Sequence, residues 1–230
     1  MVPFGGVAIF LDPMCVRSQE PRRVGLAMLL LALAVGCGRG QARPQAREGV
    51  DAHGLRGRVL PGPIPKPDLV LTDQRGEPFD FRRETDGYLT LLFFGYTHCP
   101  DVCPIHMATL AAVMPTLPPR VRDRIRVVFV TTDPARDTPE QLHTWLAHFD
   151  PSFIGLTGDT ATIYAAQRAL FLPLPQIGPA DSTGAYEVGH AAAIVAFTPD
   201  NQAHVLYPFG IRQADWAHDL PTLLEIAWTE

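Results

Sequence analysis

The sequence predicts an α/β sandwich built on a central mixed sheet, and three observations predict it. Residues 88–96 and 126–131 are near-continuous apolar runs, the pattern of strands buried on both faces of a mostly parallel sheet. Each run is followed by a segment with helix-start chemistry. The chain then closes with a hairpin pattern over residues 192–207 and a last helix over 215–228.

The elements follow in order. Residues 68–72 and 78–81 flank the polar turn Asp73-Gln-Arg-Gly76 and read as an N-terminal hairpin. The apolar run 88–96 is the first core strand. Residues 101–114 form a helix, with Asp101 as a cap and Pro104 tolerated in the first turn, where its missing N–H is no loss. Residues 126–131 form the second core strand. Thr138-Pro-Glu-Gln141 then opens a helix running to about residue 149, with Thr as cap, Pro at the first position and Gln in the capping-box place. A short strand at 153–156 and a helix at 159–170 follow, and then a Pro- and Gly-punctuated loop at 172–189. Strand 192–197, turn 199–202, strand 204–207 and the last helix complete the chain. The order strand–helix–strand–helix–hairpin–helix is that of a thioredoxin-like fold with insertions and an N-terminal hairpin extension.

Composition bounds the function. The 230 residues are 47% hydrophobic and 19% charged, enough for one well-buried core. A net charge of −5 gives nucleic acid no electrostatic footprint. Lys66 is the sole lysine, an effect of genome composition. Four cysteines (Cys15, Cys37, Cys99 and Cys103) are too few for a disulfide scaffold, so their positions carry the information.

The first 36 residues read as a signal segment. Arg22-Arg23 precedes an apolar run ending at Gly36, shorter than the roughly 20 residues a membrane-spanning helix needs. Leu33-Ala-Val-Gly-Cys37 resembles the bacterial lipoprotein box, which makes Cys37 the candidate lipidation site. An ordinary signal peptide or an uncleaved anchor is the alternative. Residues before Pro21, Cys15 among them, read as an upstream extension absent from the mature protein. Residues 37–54, poor in large apolar side chains, form a flexible tether. Residues 55–230 form one domain, entered through a Pro-rich extended stretch. Export places that domain outside the cytosol, where an unprotected thiol pair tends to oxidise.

Cys99-Pro-Asp-Val-Cys103 falls where the first core strand ends and its helix begins. Four residues along a helix bring two side chains onto one face. Free N–H groups and the positive dipole end of the first turn favour thiolate there. Placement and spacing together make a reactive pair. Two inert core thiols, or a permanent disulfide closing a very short loop, are the bland alternatives. Soft thiolates suit Cu(I) and zinc, and imidazole suits both. His98 precedes Cys99 and points away, and His106 reaches the pair only if the helix face turns that way. A thioredoxin-like layout sets the segment entering strand 192–197 opposite the cysteine turn, so His190 can meet both sulfurs. A solvated loop histidine is the alternative.

The stretch Phe94-Gly-Tyr-Thr-His-Cys-Pro-Asp-Val-Cys-Pro104 is similar to the signature of the Sco/SenC family of copper-binding proteins. Thr132-Asp-Pro-Ala-Arg-Asp-Thr-Pro139 resembles the family's segment after the second core strand. Val188-Gly-His190 falls where the family places its distal histidine. The resemblance covers about residues 60–225. It implies exposure on the outer face of the cytoplasmic membrane and copper held by Cys99, Cys103 and His190, with Cu(I) the expected state and Cu(II) the alternative. It also implies assembly of the binuclear copper (Cu-A) centre of cytochrome c oxidase subunit II. Gly189 stands where the family commonly has Asp, and Ala191-Ala-Ala193 where a hydroxyl residue is frequent. A carboxylate there would fix the histidine tautomer. Asp133 and Asp137 match the family segment, and turn and cap formation is their simplest reading.

Two functions compete. A metallochaperone passes Cu(I) to subunit II by ligand exchange, supplied by another periplasmic copper carrier. A membrane-tethered thiol–disulfide oxidoreductase attacks with Cys99, resolves with Cys103 and is served by a thioredoxin-like reductant. The three-residue gap of the pair leans toward metal, since thioredoxin-type redox sites use Cys-x-x-Cys. A peroxiredoxin pattern fails, because Thr97 stands two residues before Cys99, not three. A module keeping only the fold would not need the intact cysteine pair.

Overall fold

The two apolar runs become the middle of one sheet. In the computed structural model, which describes residues 53–228, the chain forms β1 (Arg58–Pro65), β2 (Val70–Asp73), β3 (Pro78–Asp80), α1 (Phe81–Glu84), β4 (Leu89–Gly95) and α2 (Val102–Val113). A 3-10 turn (Met114–Thr116) leads to α3 (Pro119–Arg122), β5 (Ile125–Thr131), α4 (Pro139–Ala147), β6 (Ile154–Thr157) and α5 (Thr160–Ala169). Then come β7 (Gln176–Ile177), β8 (Val188–Gly189), β9 (Ala193–Phe197), β10 (Gln202–Pro208) and α6 (Gln213–Leu223). The main sheet has the order β1-β10-β9-β4-β5-β6-β2-β3, and β7 and β8 form a separate two-stranded ribbon. The pairs β4–β5 and β5–β6 are parallel and all others antiparallel, so the sheet is mixed as predicted.

The thioredoxin-like unit is β4-α2-β5-α4-β9-β10-α6. Strand β6, helix α5 and the β7–β8 ribbon are inserted between α4 and β9. Strand β1 and the β2–β3 hairpin extend the two sheet edges.

Strand alternation explains why β4 is buried along its whole length. Leu89, Leu91 and Phe93 pack with Met107 and Leu110 of α2, Leu142 and Leu146 of α4, and Trp216 and Leu220 of α6. Leu92 and Phe94 enter the opposite layer, with Phe81 of α1, Leu71 and Phe79 of the hairpin, and Ile163 and Ala166 of α5. Each such side chain contributes about 1.5–3 kcal/mol by leaving water. Because β4 and β5 are parallel neighbours, both end at one edge of the sheet, Gly95 opposite Thr131. The turns that follow them therefore start side by side.

Three expectations are corrected. The Pro-rich entry is a strand, β1, whose register against β10 shifts between Val59 and Ile64. An edge strand tolerates the missing N–H groups of Pro61 and Pro63. The last helix ends at Leu223 rather than 228, and Trp228 instead stacks on His204 at 4.2 Å. Thr138 does cap α4, accepting from Gln141 N, but the Gln141 side chain makes no return bond and donates to Thr97 Oγ1 at 3.2 Å. The expected signal segment, Cys15, the lipidation candidate Cys37 and the tether up to residue 52 lie outside the described residues. Among the described residues no helix is long and apolar enough to cross a membrane.

Candidate metal centre

Cys103 sits in the first turn of α2 with its side chain against the sheet, fully buried. It lies over Gly95. A Cβ at position 95 would come within 2.6 Å of Cys103 Sγ and 2.9 Å of the Phe93 and Phe129 rings. The glycine that ends β4 is thus the space the sulfur occupies. Cys99 lies before the helix, not on it, since α2 starts at Val102. The expected helical spacing is replaced by a turn in which Cys99 N donates to Tyr96 O at 3.2 Å. Pro100 cannot donate and Asp101 caps the helix by accepting from Val102 N, so the sulfur of Cys99 folds back over the first turn. There it receives the Cys103 N–H at 3.5 Å.

The two sulfurs differ in protonation. The Cys103 thiol, the Cys103 N–H and His190 all stabilise a Cys99 thiolate, and against the cost of burial they bring its pKa down to about 4. Burial pushes the Cys103 thiol up, and the neighbouring Cys99 charge pushes it further. The apo pair therefore carries one thiolate at the mouth and one thiol beneath it. Both cysteines are free.

His190 leaves β8 and enters β9 beside them. Its Nε2 is 3.4 Å from Cys103 Sγ and 3.8 Å from Cys99 Sγ. Its Nδ1 is 3.0 Å from Ala191 O. A carbonyl only accepts, so Nδ1 carries a proton there, and Nε2 is the ring nitrogen that faces the sulfurs. The tautomer that a carboxylate at position 189 would fix is fixed here by a backbone carbonyl. The rings of Phe93 and Tyr96 hold the imidazole edge-on at 5.7 and 5.6 Å.

The three donor atoms lie within 4.8 Å of one another, the one such cluster among the described residues. Ligands about 2.0–2.3 Å from a shared ion, spread by a tetrahedral or trigonal angle, stand roughly 3.5–4 Å apart, so the spacing fits a common ion. Two thiolates and an imidazole suit Cu(I) or zinc. A structural zinc site takes four ligands, and this cluster has three, one of them half-buried.

The other sequence neighbours do not join. His98 turns to Thr97 Oγ1 at 3.1 Å. His106 is buried under the site, and burial lowers its pKa to about 4. It packs between Phe93 and Phe209, at 4.8 and 5.4 Å, with Nε2 3.4 Å from Ala192 O. It supports the segment that carries His190.

Asp133 and Asp137 do more than shape a turn. Asp137, fully buried, accepts from Thr97 N at 2.9 Å, Thr97 Oγ1 at 2.6 Å and Thr131 Oγ1 at 2.6 Å. It thereby fixes the backbone two residues before Cys99. Asp133 accepts from Tyr186 Oη at 2.9 Å and from Arg136 Nε. The Arg136 guanidinium lies 3.6 Å from the Tyr186 ring centroid. The signal for these roles is topological: a turn after the second of two parallel strands lies beside the turn after the first. Nothing in the sequence singles out Tyr186.

A thioredoxin-like domain with a dithiol–imidazole cluster at the strand–helix junction defines a class of soft-metal-binding protein. The chain belongs to the SCO1/SenC family, whose model matches residues 64–225. It is 33% identical over 201 residues to the mitochondrial SCO2 homolog of Bos taurus, covering 80% of this chain and 70% of that one. Among solved structures it is similar to Bradyrhizobium japonicum ScoI with copper bound (TM-score 0.61, 32% identity, 71% of this chain and 98% of that one). It is likewise similar to apo Sco1 of Thermus thermophilus (TM-score 0.66, 32% identity, 76% and 99%).

Proposed function

We propose that the chain is a copper metallochaperone that holds Cu(I) between Cys99, Cys103 and His190 and hands it to the Cu-A centre of cytochrome c oxidase subunit II. The convergence of three soft donors within 4.8 Å carries this reading, and the copper-bound ScoI of Bradyrhizobium japonicum supports it. A three-ligand site satisfies Cu(I) yet leaves a direction from which an acceptor's thiolate can attack, so transfer proceeds by ligand exchange without a free ion. In this reading an N-terminal signal, with Cys37 as its lipid anchor, tethers the domain at the outer face of the cytoplasmic membrane. Another periplasmic copper carrier supplies the ion.

One observation favours a second reading. A Cys99 thiolate above a protonated Cys103 is the arrangement of an attacking and a resolving thiol. Cys99 would attack an acceptor disulfide, releasing one acceptor thiolate. Cys103 would then displace the second, leaving the acceptor reduced and this pair as a disulfide, to be reset by a thioredoxin-like reductant. The two readings are compatible, since a two-cysteine copper acceptor must be reduced before it is metallated.

Titration of the reduced full-length chain with Cu(I) against a chromophoric chelator separates them. One ion per chain is expected, with His190→Ala weakening binding by at least about tenfold and leaving dithiol exchange intact. Wild-type affinity in His190→Ala removes the ligand assignment. A reduced chain that ignores copper but reduces an oxidised subunit II peptide leaves the oxidoreductase reading alone.

A further inference from the structure

The segment that delivers His190 has little packing of its own. Between Gln176 and Glu187 every residue except Gly178 and Tyr186 is exposed, and its only regular structure is the β7–β8 ribbon, two residues a strand. Such a segment does not by itself hold an imaginary point in space to a few tenths of an ångström, which a shared ion demands.

Val188 anchors the end of the segment in the core, and Tyr186, four residues before His190, is the side chain that ties it to the turn after β5. Its hydroxyl donates to Asp133 at 2.9 Å, and the Arg136 guanidinium covers its ring at 3.6 Å. Arg136 is in turn bound through Nε to the other oxygen of Asp133. The ring is therefore held on a face and at its tip by two residues that also hold each other. Asp133 is seated by its own N–H on Thr131 Oγ1 at 2.9 Å and by its carbonyl, which accepts from Arg136 N and Asp137 N.

The same short turn holds the cysteine side through Asp137 and Thr97. One rigid turn after β5 thus sets both halves of the cluster, the sulfurs through Asp137 and the imidazole through Asp133.

We infer that Asp133, Arg136 and Tyr186 are positioning residues that hold His190 at the depth where its Nε2 meets both sulfurs, and so set how tightly the bound soft ion is retained. The inference rests on the copper-holding reading above. None of the three touches the ion. Their effect passes through His190 alone, and that separates a positioning role from general support of the fold.

A double-mutant cycle tests this. Cu(I) affinity of the reduced full-length chain is measured by chelator competition for wild type, Tyr186→Phe, His190→Ala and the double variant. Tyr186→Phe removes one hydroxyl and keeps the ring. It is expected to weaken retention about fivefold, the order of one lost hydrogen bond acting on a ligand from outside the ligand shell. In the His190→Ala background the same change is expected to have no further effect. Equal weakening in both backgrounds, or none in the wild-type background, overturns the inference while leaving the copper site standing. Failure of wild type to bind Cu(I) overturns the underlying reading and the inference with it. Should Tyr186→Phe not fold, Arg136→Gln frees the ring face while keeping the hydroxyl bond, and must show the same dependence on His190.

Discussion

A methyl group at position 95 would have to share space with the sulfur of Cys103, 2.6 Å away, and with two phenylalanine rings. None of those atoms lies at the end of a flexible side chain. Gly95→Ala is therefore expected to cost about 1–3 kcal/mol of stability, the usual cost of overpacking, and to displace Cys103 from His190. Urea unfolding and Cu(I) competition check both, and a wild-type result in each would show that the helix start slides to make room. At this scale the sequence was legible where chemistry is local. The two cysteines announced themselves by their place between an apolar run and a helix start. His190 was reachable through the thioredoxin-like layout. Gly95 was hidden, because a glycine after an aromatic pair reads as a strand end. Ala191 was hidden as well, because a backbone carbonyl that replaces a carboxylate leaves no side-chain trace.

The turn after β5 shows what elements do that residues alone do not. Asp137 accepts three bonds from Thr97 and Thr131 with its two oxygens. Asparagine offers a single acceptor oxygen and sets an amide against a hydroxyl. Asp137→Asn is accordingly expected to lower stability by about 1–3 kcal/mol and to loosen the turn bearing Cys99. The readouts are a shifted denaturation midpoint and faster amide hydrogen exchange over residues 96–100. An unchanged midpoint would mean that the network rearranges without loss. Core strands and capped helices were legible because burial on both faces writes an unbroken apolar run into the sequence and a helix start writes its capping residues. Strand β1 was not, since its prolines argue against a strand and only its place at the sheet edge permits one. Nor was the β7–β8 ribbon, whose strands of two residues are too short to leave a period. Both exist because of what lies beside them.

Across the whole molecule the same mixed sheet carries a buried cation. Lys66 is fully buried. Its Nζ donates to Thr85 O and Oγ1, each at 2.9 Å, and sits 5.5 and 5.7 Å from the Phe81 and Phe197 ring centroids. Loss of solvent lowers its pKa from 10.5 to about 8, more than nearby Asp86 and Asp200 can restore. The folded chain thus releases this proton more readily than the unfolded chain. Between about pH 8 and 10.5 the unfolded state binds more protons, so this group makes the protein more stable as pH rises. Urea midpoints at pH 7.5 and 9.5 for wild type and Lys66→Met check this. The wild type should gain more across the interval, and parallel changes would place the titration elsewhere. The lysine was visible in the sequence as the sole one in the chain, but its burial depends on how β1, α1 and β4 meet and has no local sign.

The unequal depth of the two sulfurs gives the pocket a floor and a rim. An incoming nucleophile meets Cys99 and His190 before it meets Cys103, which is fully buried. In the metal-holding reading the bonds to Cys99 and His190 would therefore be exchanged before the bond to Cys103. Burial favours the protonated form of Cys103, and a ligating sulfur must give its proton up, so in the metal-holding reading acid would favour release.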